Sequence, residues 1–81
     1  MITVKTVFMH QLHIVHSKSL LGFSTNGAGF LCVIIEGVGQ VTLGSTKATE
    51  PILNRCKELM LEIKENPDGE YLINDDTFKG G

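Results

Sequence analysis

The run from Phe30 to Ile35, Phe-Leu-Cys-Val-Ile-Ile, is the most apolar segment of the chain, and it constrains the fold more than any other feature. A strand with apolar side chains on both faces needs cover on both faces. The chain has 81 residues, enough for one domain with a small core. Because the rest of the sequence predicts only one helix, which covers one face, this strand indicates a partner or ligand on its other face.

The first segment alternates between apolar and polar residues over positions 2–16, which predicts extended structure. Two arrangements fit this pattern: one long bent strand, or two strands that break near His10-Gln11. We expect one long strand, because no Gly or Pro marks a turn in this segment.

Turn signals then divide the middle of the chain into short strands. Asn26-Gly27 is typical of a hairpin with a type I′ turn, and it separates predicted strands at 20–25 and 28–36. Gly37-Val38-Gly39 turns the chain into another strand at 40–44. These elements predict an antiparallel meander.

A helix is predicted at about 48–65, because apolar residues recur there on one face at helical spacing: Ile52, Leu53, Cys56, Leu59, Met60 and Ile63. Asn66-Pro67-Asp68-Gly69 ends it, and a last strand follows at 70–74. The predicted class is α+β, an antiparallel β-meander sheet of about five to six strands with one amphipathic helix on one face. We expect a single domain over 1–76 and a loose C-terminal tail over 77–81.

Composition excludes several classes of protein. The net charge is −2 and the basic residues are scattered, so no stripe neutralises nucleic-acid phosphates. No segment approaches the roughly 20 apolar residues of a membrane span, and the first residues lack a signal-peptide pattern. Cys32 and Cys56 fall at predicted core positions, which favours free thiols in a reducing cytoplasm. A bridge between them is the alternative.

The three histidines, His10, His13 and His16, raise the hypothesis of a metal site. On a strand His13 points away from the other two, and His10 and His16 lie about 20 Å apart at ~3.3 Å per residue. We therefore predict no metal site and expect half-exposed histidines that can donate hydrogen bonds to a ligand.

Catalytic and cofactor motifs are absent from the sequence. Neither glycine pair, Gly27/Gly29 or Gly37/Gly39, continues into the dinucleotide fingerprint, and both lead into predicted strands. No Gly-x-Ser-x-Gly elbow occurs. We therefore expect no enzyme and no cofactor.

The chain resembles small, uncharacterised proteins encoded by phages and prophages of Gram-positive bacteria. The likeness covers mainly residues 33–75 and rests on Leu43-Gly44, on the helical pair Ile52-Leu53 and on the final strand with its acidic end, Tyr71-Leu72-Ile73-Asn74-Asp75; an opening strand like Ile2-Thr3-Val4 accompanies them. An aromatic residue often follows the Leu-Gly pair in those proteins, whereas Ser45 follows it here. The resemblance implies a phage origin and a role in binding a host component, in the host cytosol, and it implies no active-site residues.

Two main functions follow as hypotheses. The first is a non-enzymatic binding protein that acts through protein–protein contact, for example against a host defence component. The alternative is an oligomeric protein that sequesters a nucleotide-type signal; a remote one is a ubiquitin-like carrier, since the chain ends in Gly80-Gly81. We expect a homodimer or higher oligomer. The predicted partner or ligand surface consists of His10, His13, His16, Leu31, Val33, Ile35 and Leu61.

Overall fold

A computed structural model of the protein describes residues 1–7 and 10–78. The α+β class is confirmed. The strands and the helix, in chain order, are β1 (Ile2–Thr6), β2 (Gln11–Val15), β3 (Leu20–Thr25), β4 (Phe30–Ile35), β5 (Gly39–Lys47), α1 (Glu50–Glu65) and β6 (Tyr71–Ile73). Short 3₁₀ turns occupy Ser17–Ser19 and Asp75–Phe78.

The strands form two three-stranded sheets rather than one continuous meander. The first sheet has the order β2-β1-β6 and the second has the order β3-β4-β5. The predicted meander describes the second sheet, in which both pairings are antiparallel. In the first sheet β6 runs parallel to β1, because the chain returns through α1, and the Met1 ammonium group donates to the carbonyl of Gly69 at 2.9 Å. The amide of Val7 donates to the carbonyl of Leu43 at 2.8 Å and joins the two sheets.

The first segment is two strands, so the preference for one long strand over 2–16 was wrong. β1 and β2 pair antiparallel from Ile2↔Val15 to Thr6↔Gln11. A 15-residue strand would be about 50 Å long, whereas the molecule extends 32 Å in its longest direction. The chain therefore folds back, and His10 takes a positive φ of 49° in the turn. The turn contains no Gly or Pro, because His10 adopts the positive φ that a glycine would often provide.

The hairpin between β3 and β4 lies where Asn-Gly predicted it, with a different turn. Positive φ occurs at Gly29, at 87°, and not at Asn26 or Gly27. The side-chain oxygen of Asn26 accepts hydrogen bonds from the amides of Ala28 at 2.9 Å and Phe30 at 3.0 Å. This side chain satisfies the amides of a longer loop, so the chain does not need a two-residue type I′ turn.

One apolar core lies between the sheets and the helix. The buried stripe of α1 consists of Cys56, Leu59 and Ile63. It belongs to the same buried cluster as the alternate residues of β4, which are Leu31, Val33 and Ile35, and as Ile2, Val4 and Ile73 of the first sheet. The face of β4 that meets the helix is thus the one that carries Leu31, Val33 and Ile35.

The packed part of the domain extends to Phe78, two residues beyond the predicted end at residue 76. Phe78 is 5% exposed, and its ring meets the ring of Phe23 edge-on at 5.8 Å between centroids. The loose tail predicted over 77–81 is therefore wrong for Thr77 and Phe78, because the Asp75–Phe78 turn directs this aromatic ring into the core. Gly80-Gly81, with the carrier hypothesis that depends on it, lies outside the described residues.

Candidate functional site

The first sheet leaves one face uncovered. Its outward side chains are Thr3, Lys5, Leu12, Ile14 and Leu72, which we call the outer face. Leu12 and Ile14 are each 59% exposed and Leu72 is 55% exposed. Thr3 is paired with Ile14 on one side and with Leu72 on the other, so these three side chains form a row across all three strands. Leu12 and Ile14 are neighbours on one face of β2, and Thr3 separates them from Leu72, so the outer face is a mixed surface with exposed apolar side chains on both flanking strands.

The outer face arises from the register of the β1–β2 hairpin. Ile2 and Val4 of β1 point into the core, and their partners across the pair are Val15 and His13. Even positions of β1 therefore share a face with odd positions of β2, because an even number of residues separates the two strands. Leu12 turns outward for this reason. The sequence pattern missed Leu12, Ile14 and Leu72; a hairpin placed at residues 7–10 would have revealed Leu12 and Ile14, whereas Leu72 depends on the parallel pairing of β6 with β1.

The edge of the same sheet carries none of the usual protection against pairing. β2 lies at the edge, and residues 11–15 contain no Pro, Gly, Lys, Arg, Asp or Glu. By comparison, β3 at the edge of the second sheet has a register irregularity between Leu20 and Gly22, and β6 has only 3 residues. At the outer edge of β2, the unpaired backbone N–H and C=O groups can therefore pair with another strand.

The three histidines do not form a cluster. His10 is exposed in the turn before β2, and His16 is exposed after its other end. His13 is half-buried on the inner side of the sheet opposite Val4, with its Nε2 atom 3.5 Å from Oε1 of Gln11. Among the described residues, no group of His, Cys, Asp or Glu could hold a metal ion.

The predicted partner side of β4 requires a correction. Leu31, Val33 and Ile35 are at most 1% exposed and line the core, so they cannot present a surface. The opposite side is covered only in part: Gln40 donates to the sulfur of Cys32 at 3.4 Å and Cys32 is fully buried, whereas Phe30 and Ile34 are half-buried. The first sheet exposes apolar side chains as well, which are Leu12, Ile14 and Leu72. Of the apolar residues predicted for the surface, Leu61 is exposed, at 58%, on α1.

Both thiols are free and buried, as predicted. Cys56 faces the core, whereas Cys32 lies on the opposite face of β4, so the two sulfur atoms are on different sides of a sheet. Burial raises the pKa of Cys56 to about 11, and the nearby Arg55 only partly opposes this rise. Cys56 is therefore protonated at neutral pH and is a poor nucleophile.

An open groove of about 690 Å³ lies along β5 and the β3–β4 turn. Phe30 provides an aromatic surface, and Gln11, Asn26, Gln40 and Thr42 provide polar groups. Lys47 does not line the groove itself, but its ammonium nitrogen lies over the Phe30 ring, 4.8 Å from the ring centroid, and places a positive charge next to the groove. The volume is in the range of about 300–1,000 Å³ typical of small-molecule sites. His10, His13 and His16 do not line this groove.

Comparison with known protein families, with curated proteins and with solved structures gives no match for this chain. Within the part of the chain that the structure describes, no helix has the length and apolar character needed to cross a membrane.

Proposed function

We propose that this chain is a non-enzymatic binding protein that acts through protein–protein contact, and that the outer face with the β2 edge is its contact site. The observation that carries the proposal is the position of Leu12 and Ile14 on an unprotected edge strand. A partner strand added to β2 gains main-chain hydrogen bonds, while these two side chains select what packs over them.

The same strand is suited to pairing with a second copy. In an antiparallel pair of β2 strands centred on His13, Leu12 of one copy lies opposite Ile14 of the other. Residues 11–15 carry no formal charge at pH 7 with His neutral, so no charge repulsion opposes this pairing. This supports the homodimer proposal, and a foreign partner that adds a strand would compete with the second copy for β2.

The resemblance to phage-encoded proteins supports a host protein as the foreign partner, with a defence component as the most informative class to test. Small proteins that block a host factor need a stable contact surface and no chemistry of their own. The outer face supplies such a surface without a catalytic constellation.

The test compares Ile14→Asp with Leu21→Asp. Leu21 is 58% exposed on the second sheet, so it matches Ile14 in exposure and in the charge introduced. We expect Ile14→Asp to dissociate the homodimer, measured by light scattering, and to weaken capture of a host protein at least ten-fold. Leu21→Asp should change neither measurement. Two results together would refute the proposal: the unmodified chain is monomeric at micromolar concentration, and Ile14→Asp captures the same host proteins as the unmodified chain does.

The groove along β5 favours a second candidate, a protein that sequesters a nucleotide-type signal. Phe30 can stack on a base, and Lys47 can pair with a phosphate. Native mass spectrometry of freshly purified protein tests this candidate, and retention of a small molecule by the unmodified chain but not by Phe30→Ala would support it. A chain free of small molecules that also gives no calorimetric response to nucleotides would exclude it.

A further inference from the structure

A second groove, of about 530 Å³, lies away from the outer face between the C-terminal half of α1 and the Ser17–Ser19 turn. Its floor is apolar and largely buried, since Leu20 is 4% and Ile63 is 3% exposed. Met60 and Leu61 form one wall, and Ser17 and Pro67 lie at the other. None of the outer-face residues lines it, so it is a separate surface.

A hydrogen bond connects the two segments that form one wall of the groove. The hydroxyl of Ser17 donates to the carbonyl of Pro67 at 2.5 Å, linking the turn after β2 to the loop after α1. A groove that is already formed in the free protein lowers the ordering cost of binding. Leu61, at 58% exposure, leaves its wall open to solvent along the helix.

The charge at this groove is opposite in sign to that of the whole chain. Lys18 and Lys64 line it, and no Asp or Glu does. In the described part of the chain, neither lysine is in an ion pair; the recorded pair is Arg55 with Glu58. Two unpaired ammonium groups beside an apolar floor, on a protein of net charge −2, select an occupant that is both apolar and negatively charged.

We propose that this groove binds a short segment of a partner protein in which acidic residues alternate with large apolar ones. The apolar side chains would cover Met60 and Leu61, and the carboxylates would reach Lys18 and Lys64. A fatty acid has the same chemical character, but its chain needs an enclosed apolar cavity, whereas this groove is open along Leu61. A peptide that anchors only a few side chains needs no such enclosure.

The experiment uses the full chain and a fluorescein-labelled peptide of alternating Asp with Leu and Phe, followed by anisotropy. A second peptide carries Lys in place of Asp. We expect saturable binding of the acidic peptide only, and weaker binding at higher salt because the contacts are exposed charges. Lys64→Glu and Lys18→Glu should each weaken binding about ten-fold, and Leu61→Ala about five-fold.

The controls separate this proposal from the proposed function. Lys5→Glu makes the same change of charge on the outer face and should alter peptide affinity less than two-fold. Ile14→Asp should bind the peptide like the unmodified chain. Lys64→Gln, checked for folding by circular dichroism, keeps the test valid if the glutamate variant unfolds.

Equal binding of the lysine peptide, an equal effect of Lys5→Glu, or no saturable binding at millimolar peptide would each overturn the proposal. Displacement of the peptide probe by oleate below its micellar concentration, with oleate binding more tightly than any peptide, would assign the groove to a lipid and overturn it as well.

Discussion

Replacement of Asp75 by alanine should destabilise the protein severely. Asp75 is 4% exposed, and its carboxylate accepts hydrogen bonds from the amides of Ser45 and Thr46 and from the hydroxyl of Thr46, at 2.5 to 3.2 Å. These bonds join the end of β5 to the segment that follows β6, and therefore join the two sheets. Among the described Asp, Glu, Lys, Arg and His residues, Asp75 is the one that is buried.

The magnitude follows from the donors that lose their acceptor. A buried donor left without a partner costs about 1–3 kcal/mol. The amide and the hydroxyl of Thr46 would each incur this full cost. Ser45 is exposed, so water can reach its amide and the cost there is smaller. The total loss of unfolding free energy is about 3–5 kcal/mol. A chain of 81 residues is typically stable by about 4–12 kcal/mol. Asp75→Ala should therefore remove a large share of the total.

A graded series distinguishes this explanation from a general loss of packing. Asp75→Asn keeps one oxygen for Thr46 but turns an amide donor toward Ser45, so it should cost about 1–2 kcal/mol. Thr46→Val removes only the hydroxyl and should cost a similar amount. Urea unfolding followed by circular dichroism measures all three variants. If Asp75→Ala lost less than 1 kcal/mol, or less than Asp75→Asn, the assignment of Asp75 as the link between the sheets would be refuted.

Two further predictions concern single side chains. The hydroxyl oxygen of Ser24 is buried without a hydrogen-bond partner, so Ser24→Ala should leave stability unchanged or raise it by up to ~1 kcal/mol in the same urea assay; a loss above that amount would contradict the missing partner. Because the folded pKa of Cys56 is raised from 9.0 to about 11, the folded state holds this proton more tightly than the unfolded state does. Its contribution to stability is complete below pH 9 and is lost as the pH rises toward 11. Stability measured against pH should therefore fall more steeply over that interval in the unmodified chain than in Cys56→Ala, and parallel curves would contradict the shift.

The sequence predicted well those elements that local signals determine. The apolar stripe of α1 and the Asn66-Pro67 stop placed the helix, which spans Glu50–Glu65, and the Gly37–Gly39 turn ended β4 as expected. The face of β4 that meets the helix could not be chosen from the sequence, because Leu31 and Phe30 begin alternations that are equally apolar. Cross-strand neighbours decide it: Ser24 and Thr42 flank Cys32 on one face, whereas Val41 lies beside Val33 on the other.

The candidate site was less accessible to sequence reasoning, because one turn determines it. A left-handed residue at His10 carries no composition signal, and this turn reverses which positions of 11–15 face the core. The likewise non-local link between Asp75 and Thr46 joins residues that no motif connects. As a result, the face of β4 predicted for a partner lies in the core, as does Phe78 of the predicted loose tail, whereas Leu12 and Ile14 are exposed.

For the outer face as the proposed contact site, the composition favours a partner that binds reversibly. A face made for permanent burial would carry apolar residues on its central strand, and a face made for solvent would carry polar residues on the flanking strands. Here the central strand β1 presents Thr3 and Lys5, while the flanking strands present Leu12, Ile14 and Leu72. Lys5 can extend its charge to the rim of a contact, whereas Leu12, Ile14 and Leu72 gain by being covered. This mixture is typical of contacts between proteins that are also stable apart, so the proposed homodimer and the proposed complex with a foreign partner would be competing uses of one surface.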